Sequence, residues 1–153
     1  MTKAYQKLDV ALADGFCLHG SQVTGLRTIE PRQAWCANRG VAQCQKAVYA
    51  SQHGVRVPLV HACVTRFCGS VRHHQISYEA QTDEEPLLVT GYNVTLGFGS
   101  VYILARDTFA QHGDEFISYT PVQVVEEVFV GPGTLLHIRH DYDLRIPVPH
   151  PWR

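Results

Sequence analysis

Three short segments combine residue types that do chemistry. In Leu18-His19-Gly20-Ser21 an imidazole and a hydroxyl flank a glycine where an apolar stretch ends. A glycine lets a ligand approach the main chain with no Cβ in the way, and its N–H and C=O suit a planar carboxamide. In Ala47-Val48-Tyr49-Ala50-Ser51 a tyrosine stands among small residues that leave its ring face open to a flat ligand. The third segment, Gly113-Asp114-Glu115-Phe116-Ile117-Ser118-Tyr119-Thr120-Pro121-Val122-Gln123-Val124, opens on an acidic pair. Strand alternation puts Glu115 on one face with Ile117 and Tyr119 and turns Asp114 to the other. A carboxylate at the mouth of a sheet stays ionised and can act on a ligand beside it. Taken singly, each segment is also what a strand-capping histidine, a core tyrosine or a solvated strand end looks like.

The elements that must position these residues follow from pattern. Residues 15–21 and 46–50 read as short strands, and 22–45 as a loop with a helical turn near Arg32–Trp35. Pro58 suits the first turn of a helix whose stripe is Leu59, Val60, Ala62, Cys63 and Phe67, with Gly69 ending it. The second half reads as a β meander with strands at 75–79, 87–92, 100–105, 115–119, 122–130 and 134–139. Prolines 147, 149 and 151 make 145–153 an extended tail. One short helix followed by many strands predicts an α+β fold with one sheet or two packed together.

The 153 residues suit a single domain over 1–153. With 45% hydrophobic and 18% charged residues the chain is neither disordered nor coiled coil. No apolar run approaches the ~20 residues of a membrane span. Five irregularly spaced cysteines predict a reduced, cytoplasmic protein. The net charge of −1 disfavours a polybasic nucleic-acid binder, yet residues 1–80 carry +5 and 81–153 carry −6. That basic first half suits an anionic ligand, or simply a differently charged face.

In their order along the chain, Leu-His-Gly-Ser, Val-Tyr-Ala-Ser and Asp-Glu-Phe-Ile-Ser-Tyr-Thr-Pro-Val-Gln-Val resemble the ADP-ribosyltransferase fold, in its diphtheria-toxin and poly(ADP-ribose) polymerase branch. That branch carries a His–Tyr–Glu triad on three separate strands. The third segment is the most specific match, and Gly25-Leu26-Arg27 with Glu30-Pro31 resemble the loop that follows the family histidine. The resemblance implies a mostly β fold, with two packed sheets around an NAD cleft and one or two short helices. It implies that the chain takes NAD as a substrate and transfers a single ADP-ribose to an acceptor, which could be a protein, a nucleic acid, a small molecule or water. The implied catalytic residues are His19, Tyr49 and Glu115.

The same resemblance implies the contacts. His19 would bond the adenosine ribose, Ser21 would lie near the nicotinamide ribose or amide, and Gly20 would offer its backbone to the carboxamide. Tyr49 would stack on nicotinamide, and Glu115 would bond the nicotinamide ribose 2′-OH. Arg27, Arg32 and Arg39 are equivalent candidates for the pyrophosphate. The chain departs from the polymerases in one respect: the stretch from His53 to Cys63 holds no second stacking tyrosine, and His61 or Phe67 could stand in. A non-catalytic NAD- or ADP-ribose-binding protein, a partner-binding protein of this fold and an NAD glycohydrolase are the rival readings. Zinc is not expected at His61, Cys63, Cys68, His73 and His74, because the spacing is wrong for a converging set.

Overall fold

The computed structural model describes residues 3–33, 46–66, 87–88, 94–113, 115–134 and 144–145. It is an α+β protein, mostly strands, with two four-stranded antiparallel sheets and a few short helices. Helix α1 (Lys3–Ala13) opens the described chain and buries Tyr5, Leu8 and Ala11 on one face. It stops in a Schellman arrangement. Gly15, at φ +92°, sends its N–H to the Leu12 carbonyl, and the Phe16 N–H reaches the Ala11 carbonyl. That helix is not apparent in the sequence reading, although the three-residue spacing of its buried side chains is there.

The first sheet has the order β1 (Cys17–Ser21), β8 (Gly99–Leu104), β11 (Val122–Val130), β2 (Thr28–Ile29). The second has the order β3 (Arg32–Gln33), β4 (Lys46–Ala50), β10 (Glu115–Ser118), β9 (Ala110–His112). Two further pairs are β5 (Val64–Arg66) with β7 (Val94–Leu96), and β6 (Leu87–Leu88) with β12 (Leu144–Arg145), the latter parallel. The second half is therefore not a meander. Its strands are dealt to both sheets, and β8 and β11 enclose the strand pair β9–β10 in sequence but not in space.

Helix α2 (Arg56–Cys63) has Pro58 in its first turn, as the sequence suggests, but ends at Cys63, where β5 takes over, and not at Gly69. Arg32 lies in β3 and not in a helical turn, and residue 134 lies in a helical turn and not in a strand. The predicted strand at 75–79, most of the predicted strands at 87–92 and 134–139, and residues 146–153 of the predicted tail 145–153 lie outside the described residues. Arg145 of β12 pairs with Leu88 of β6 and is not part of an unpaired tail.

The first sheet is sandwiched. On one face Leu18, Val101, Ile103, Val128 and Val130 pack against α1 and α2. On the other, Cys17, Tyr102, Leu104, Ile29 and Val122 meet Val48, Ala50 and Phe116 of the second sheet. Strand β8, GSVYIL, is buried along its whole length because it is covered on both sides. A bulge between Val124 and Glu126 resets β11. Before it, Val122 and Val124 face the second sheet. After it, Val128 and Val130 face the helices, and Glu127 and Phe129 take the other side.

Candidate functional site

The two sheets touch edge to edge at one point. Leu18 of β1 and Ser51, just past β4, exchange both backbone hydrogen bonds, at 2.8 and 2.7 Å. Continuing that antiparallel bridge would set Gly20 opposite Tyr49 and give Tyr49 C=O the Gly20 N–H as its donor. That bond is replaced: His19 Nδ1–H donates to the Tyr49 carbonyl at 2.7 Å. The His19 side chain thus takes the acceptor that the ladder would have used. Since alternation sends the backbone groups of Gly20 the same way as those of Leu18, they point to the β4 side of β1. Among the described residues no ladder bond joins Gly20 to β4.

A carbonyl can only accept, so this bond assigns the His19 proton to Nδ1 and leaves Nε2 as a lone-pair acceptor. Burial pushes the His19 pKa below 6.5, the Tyr49 carbonyl partly restores it, and the charge of Arg32 lowers it further. The neutral ring is the resting form. It lies 6.4 Å from the Tyr102 ring, tilted by 40°.

The sequence motifs are drawn together to different degrees. His19 and Tyr49 are in contact, and Ile117 pairs with Tyr49 across β10 and β4. The backbone of Glu115 lies two residues, about 7 Å, further along β10, opposite His112 of β9. Asp114 lies outside the described residues. Tyr119 follows the strand in a bend and is exposed. Ser21 Oγ accepts the Val23 N–H at 3.0 Å, which starts the loop after β1.

Gly20 has a second reason to be glycine. A Cβ built on it would lie 1.8 Å from the Pro58 carbonyl oxygen, so α2 seats directly on the strand there. The three arginine candidates also separate. Arg32 is close enough to His19 for its charge to act on the imidazole, an effect that Arg27 does not share, although both side chains are exposed. Arg39 lies outside the described residues.

Sequence reasoning missed a polar set beside His19. Reading across the first sheet, His19, Tyr102 and Glu127 form one row, and Ser21, Ser100 and Phe129 the next. Tyr102 O–H donates to the Val23 carbonyl at 2.6 Å and accepts the Leu26 N–H at 3.2 Å. Glu127 Oε2 accepts the Gly25 N–H at 2.8 Å and the Ser100 hydroxyl at 2.5 Å. The Ser100 and Gly25 bonds hold the Glu127 carboxyl below its ordinary pKa, while burial raises that of Tyr102. The signal available in sequence was faint: a carboxylate pair, Glu126-Glu127, in an otherwise apolar β-branched run.

Among the described residues no group of three or more His, Cys, Asp or Glu is placed to hold a metal ion, and no helix is long and apolar enough to cross a membrane. The fold and site define a small α+β protein with two packed antiparallel sheets and a half-buried histidine bonded from one to the other. Comparison with known protein families, curated proteins and solved structures finds no match.

Proposed function

We propose that this chain is an NAD-dependent mono-ADP-ribosyltransferase. The observation that carries the proposal is the bond from His19 Nδ1–H to the Tyr49 carbonyl. It joins two of the three motifs in space and takes up the Tyr49 carbonyl that the Gly20 N–H would bond if the ladder ran on, which supports a role for the Gly20 backbone in holding a carboxamide. The third motif runs on β10, the neighbour of β4.

In this proposal His19 Nε2 accepts a hydrogen bond from an adenosine-ribose hydroxyl, and Gly20 holds the nicotinamide carboxamide through its backbone. Tyr49 stacks on the nicotinamide ring, and Ser21 lies near the nicotinamide ribose. Arg32, whose charge already acts on His19, is a better candidate for the pyrophosphate than Arg27. The C1′–N bond breaks with its electron pair leaving on nicotinamide, and the ribose becomes an oxocarbenium-like cation. The carboxylate of Glu115 stabilises that cation and orients the acceptor, whose attack on C1′ releases a proton to the carboxylate. Binding in a fixed cleft contributes the proximity term.

Nicotinamide release from NAD by the purified chain, beside Glu115→Gln, tests this. The variant is expected to keep NAD binding and to lose about a hundredfold in turnover. Equal turnover would remove Glu115 from the chemistry. A wild type that neither releases nicotinamide nor binds NAD by calorimetry would overturn the proposal. Binding without turnover would favour the non-catalytic ADP-ribose-binding alternative, and release without any modified acceptor would favour a glycohydrolase.

A further inference from the structure

The loop between β1 and β2 has no regular structure of its own, yet it is tied down at four of its residues. The Val23 carbonyl and the Leu26 N–H are bonded to Tyr102 Oη, and the Gly25 N–H to Glu127 Oε2. The Arg27 carbonyl is bonded to the Val124 N–H. Gly25 takes φ +78°, a left-handed conformation that costs a glycine little and turns its N–H toward the carboxylate. Ser100 Oγ completes the set by donating to the same Glu127 oxygen.

All three side chains, Ser100, Tyr102 and Glu127, rise from β8 and β11 on the face that carries His19 and Ser21. Tyr102 does two things at once. Its ring lies beside the His19 imidazole, and its hydroxyl holds both ends of the Val23–Leu26 turn. The buried phenol of Tyr102 finds both of its partners in this turn, and the half-exposed Glu127 carboxylate takes the Gly25 N–H between them. A fixed, polar wall next to His19 is what they provide.

We infer that Tyr102, Glu127 and Ser100 are positioning residues that hold the loop 22–27 as the wall receiving the ADP-ribose part of the ligand, an inference that rests on the NAD reading. The loop leaves β1 at Ser21, beside the nicotinamide ribose of this reading, and is then held by Tyr102 and Glu127 of the His19 row, so its Val23–Leu26 part borders the ribose that His19 would bond. Freeing it lowers affinity for ADP-ribose and raises KM for NAD, and leaves the chemical step at Glu115 alone.

The test uses Tyr102→Phe, Glu127→Ala and Glu127→Gln in the full chain. Tyr102→Phe keeps the ring beside His19 and removes only the hydroxyl. Glu127→Gln keeps an acceptor oxygen for both Gly25 and Ser100. Amide hydrogen exchange at Gly25 and Leu26 reads the loop directly, calorimetry with ADP-ribose reads the wall, and nicotinamide release reads the chemistry.

Expected are faster exchange at Leu26 in Tyr102→Phe and at Gly25 in Glu127→Ala. ADP-ribose binding should weaken about five- to tenfold in each, as for a lost hydrogen bond or two, with kcat held within about twofold. Glu127→Gln should restore most of the affinity. A freed loop with unchanged ADP-ribose affinity overturns the inference and leaves the NAD reading standing. Unchanged exchange also overturns it, because the bonds would not then hold the loop. A wild type that binds neither ADP-ribose nor NAD overturns both.

Discussion

At the scale of the residue, His19 combines a structural bond and an open acceptor in one ring. Its Nδ1–H is committed to Tyr49, so only Nε2 is left for a ligand, and it accepts only while the ring is neutral. Burial depresses its pKa below 6.5, and that fixes the sign of a pH effect. Above 6.5 the ring is neutral folded or unfolded and its preference for the neutral form is fully realised. As pH falls from 6.5 through the folded pKa, the unfolded chain takes up the proton first and stability is lost. His19→Asn offers the Tyr49 carbonyl an N–H that does not titrate in this range. Urea unfolding at pH 7.5 and at pH 5.5 should show the wild type losing more stability than the variant. Parallel losses would mean that the imidazole is not depressed.

At the scale of the element, Gly20 separates two physical causes. A glycine required only for ligand approach tolerates alanine in the folded protein and loses binding. A glycine required by helix seating loses stability, and the Pro58 carbonyl is backbone that cannot swing aside. Gly20→Ala should therefore cost about 1–3 kcal/mol in urea unfolding, as overpacking does. A stable variant with weakened NAD binding would restore the ligand reading alone. Elements whose signal is local were legible from the sequence: β4 and β11 fall where β-branched and small residues place them, and Pro58 marks the first turn of α2. The rest depended on partners remote in sequence. Arg32 joins a strand because Ala47 is there to pair with it, and α2 stops at Cys63 because Val64 finds Leu96. The site divided in the same way. Its motif residues were visible, while Tyr102 and Glu127 acquire a role only when β8 and β11 are brought beside β1.

At the scale of the whole molecule, the two cores share one sheet, and each contains a cysteine. Cys63 lies between the helices and the first sheet, with its thiol 3.5 Å from the Gly131 carbonyl. Cys17 lies between the two sheets, 3.5 Å from the Leu104 carbonyl. Burial pushes both thiols up to about 12, so neither presents a thiolate at neutral pH, and neither suits a nucleophile. They serve instead as reporters of their layers. Strand β8 contributes Val101 and Ile103 to one core and Tyr102 and Leu104 to the other, so neither layer can open without disturbing the strand that the other needs. Pulsed alkylation in increasing urea, read peptide by peptide in a mass spectrometer, should label Cys17 and Cys63 along one shared transition. Earlier labelling of Cys17 would mean that the second sheet lifts away while the helix layer holds. In that event the contact from His19 to Tyr49 would be a joint between two separately opening halves, and a ligand bridging Gly20 and β10 would have to hold it closed.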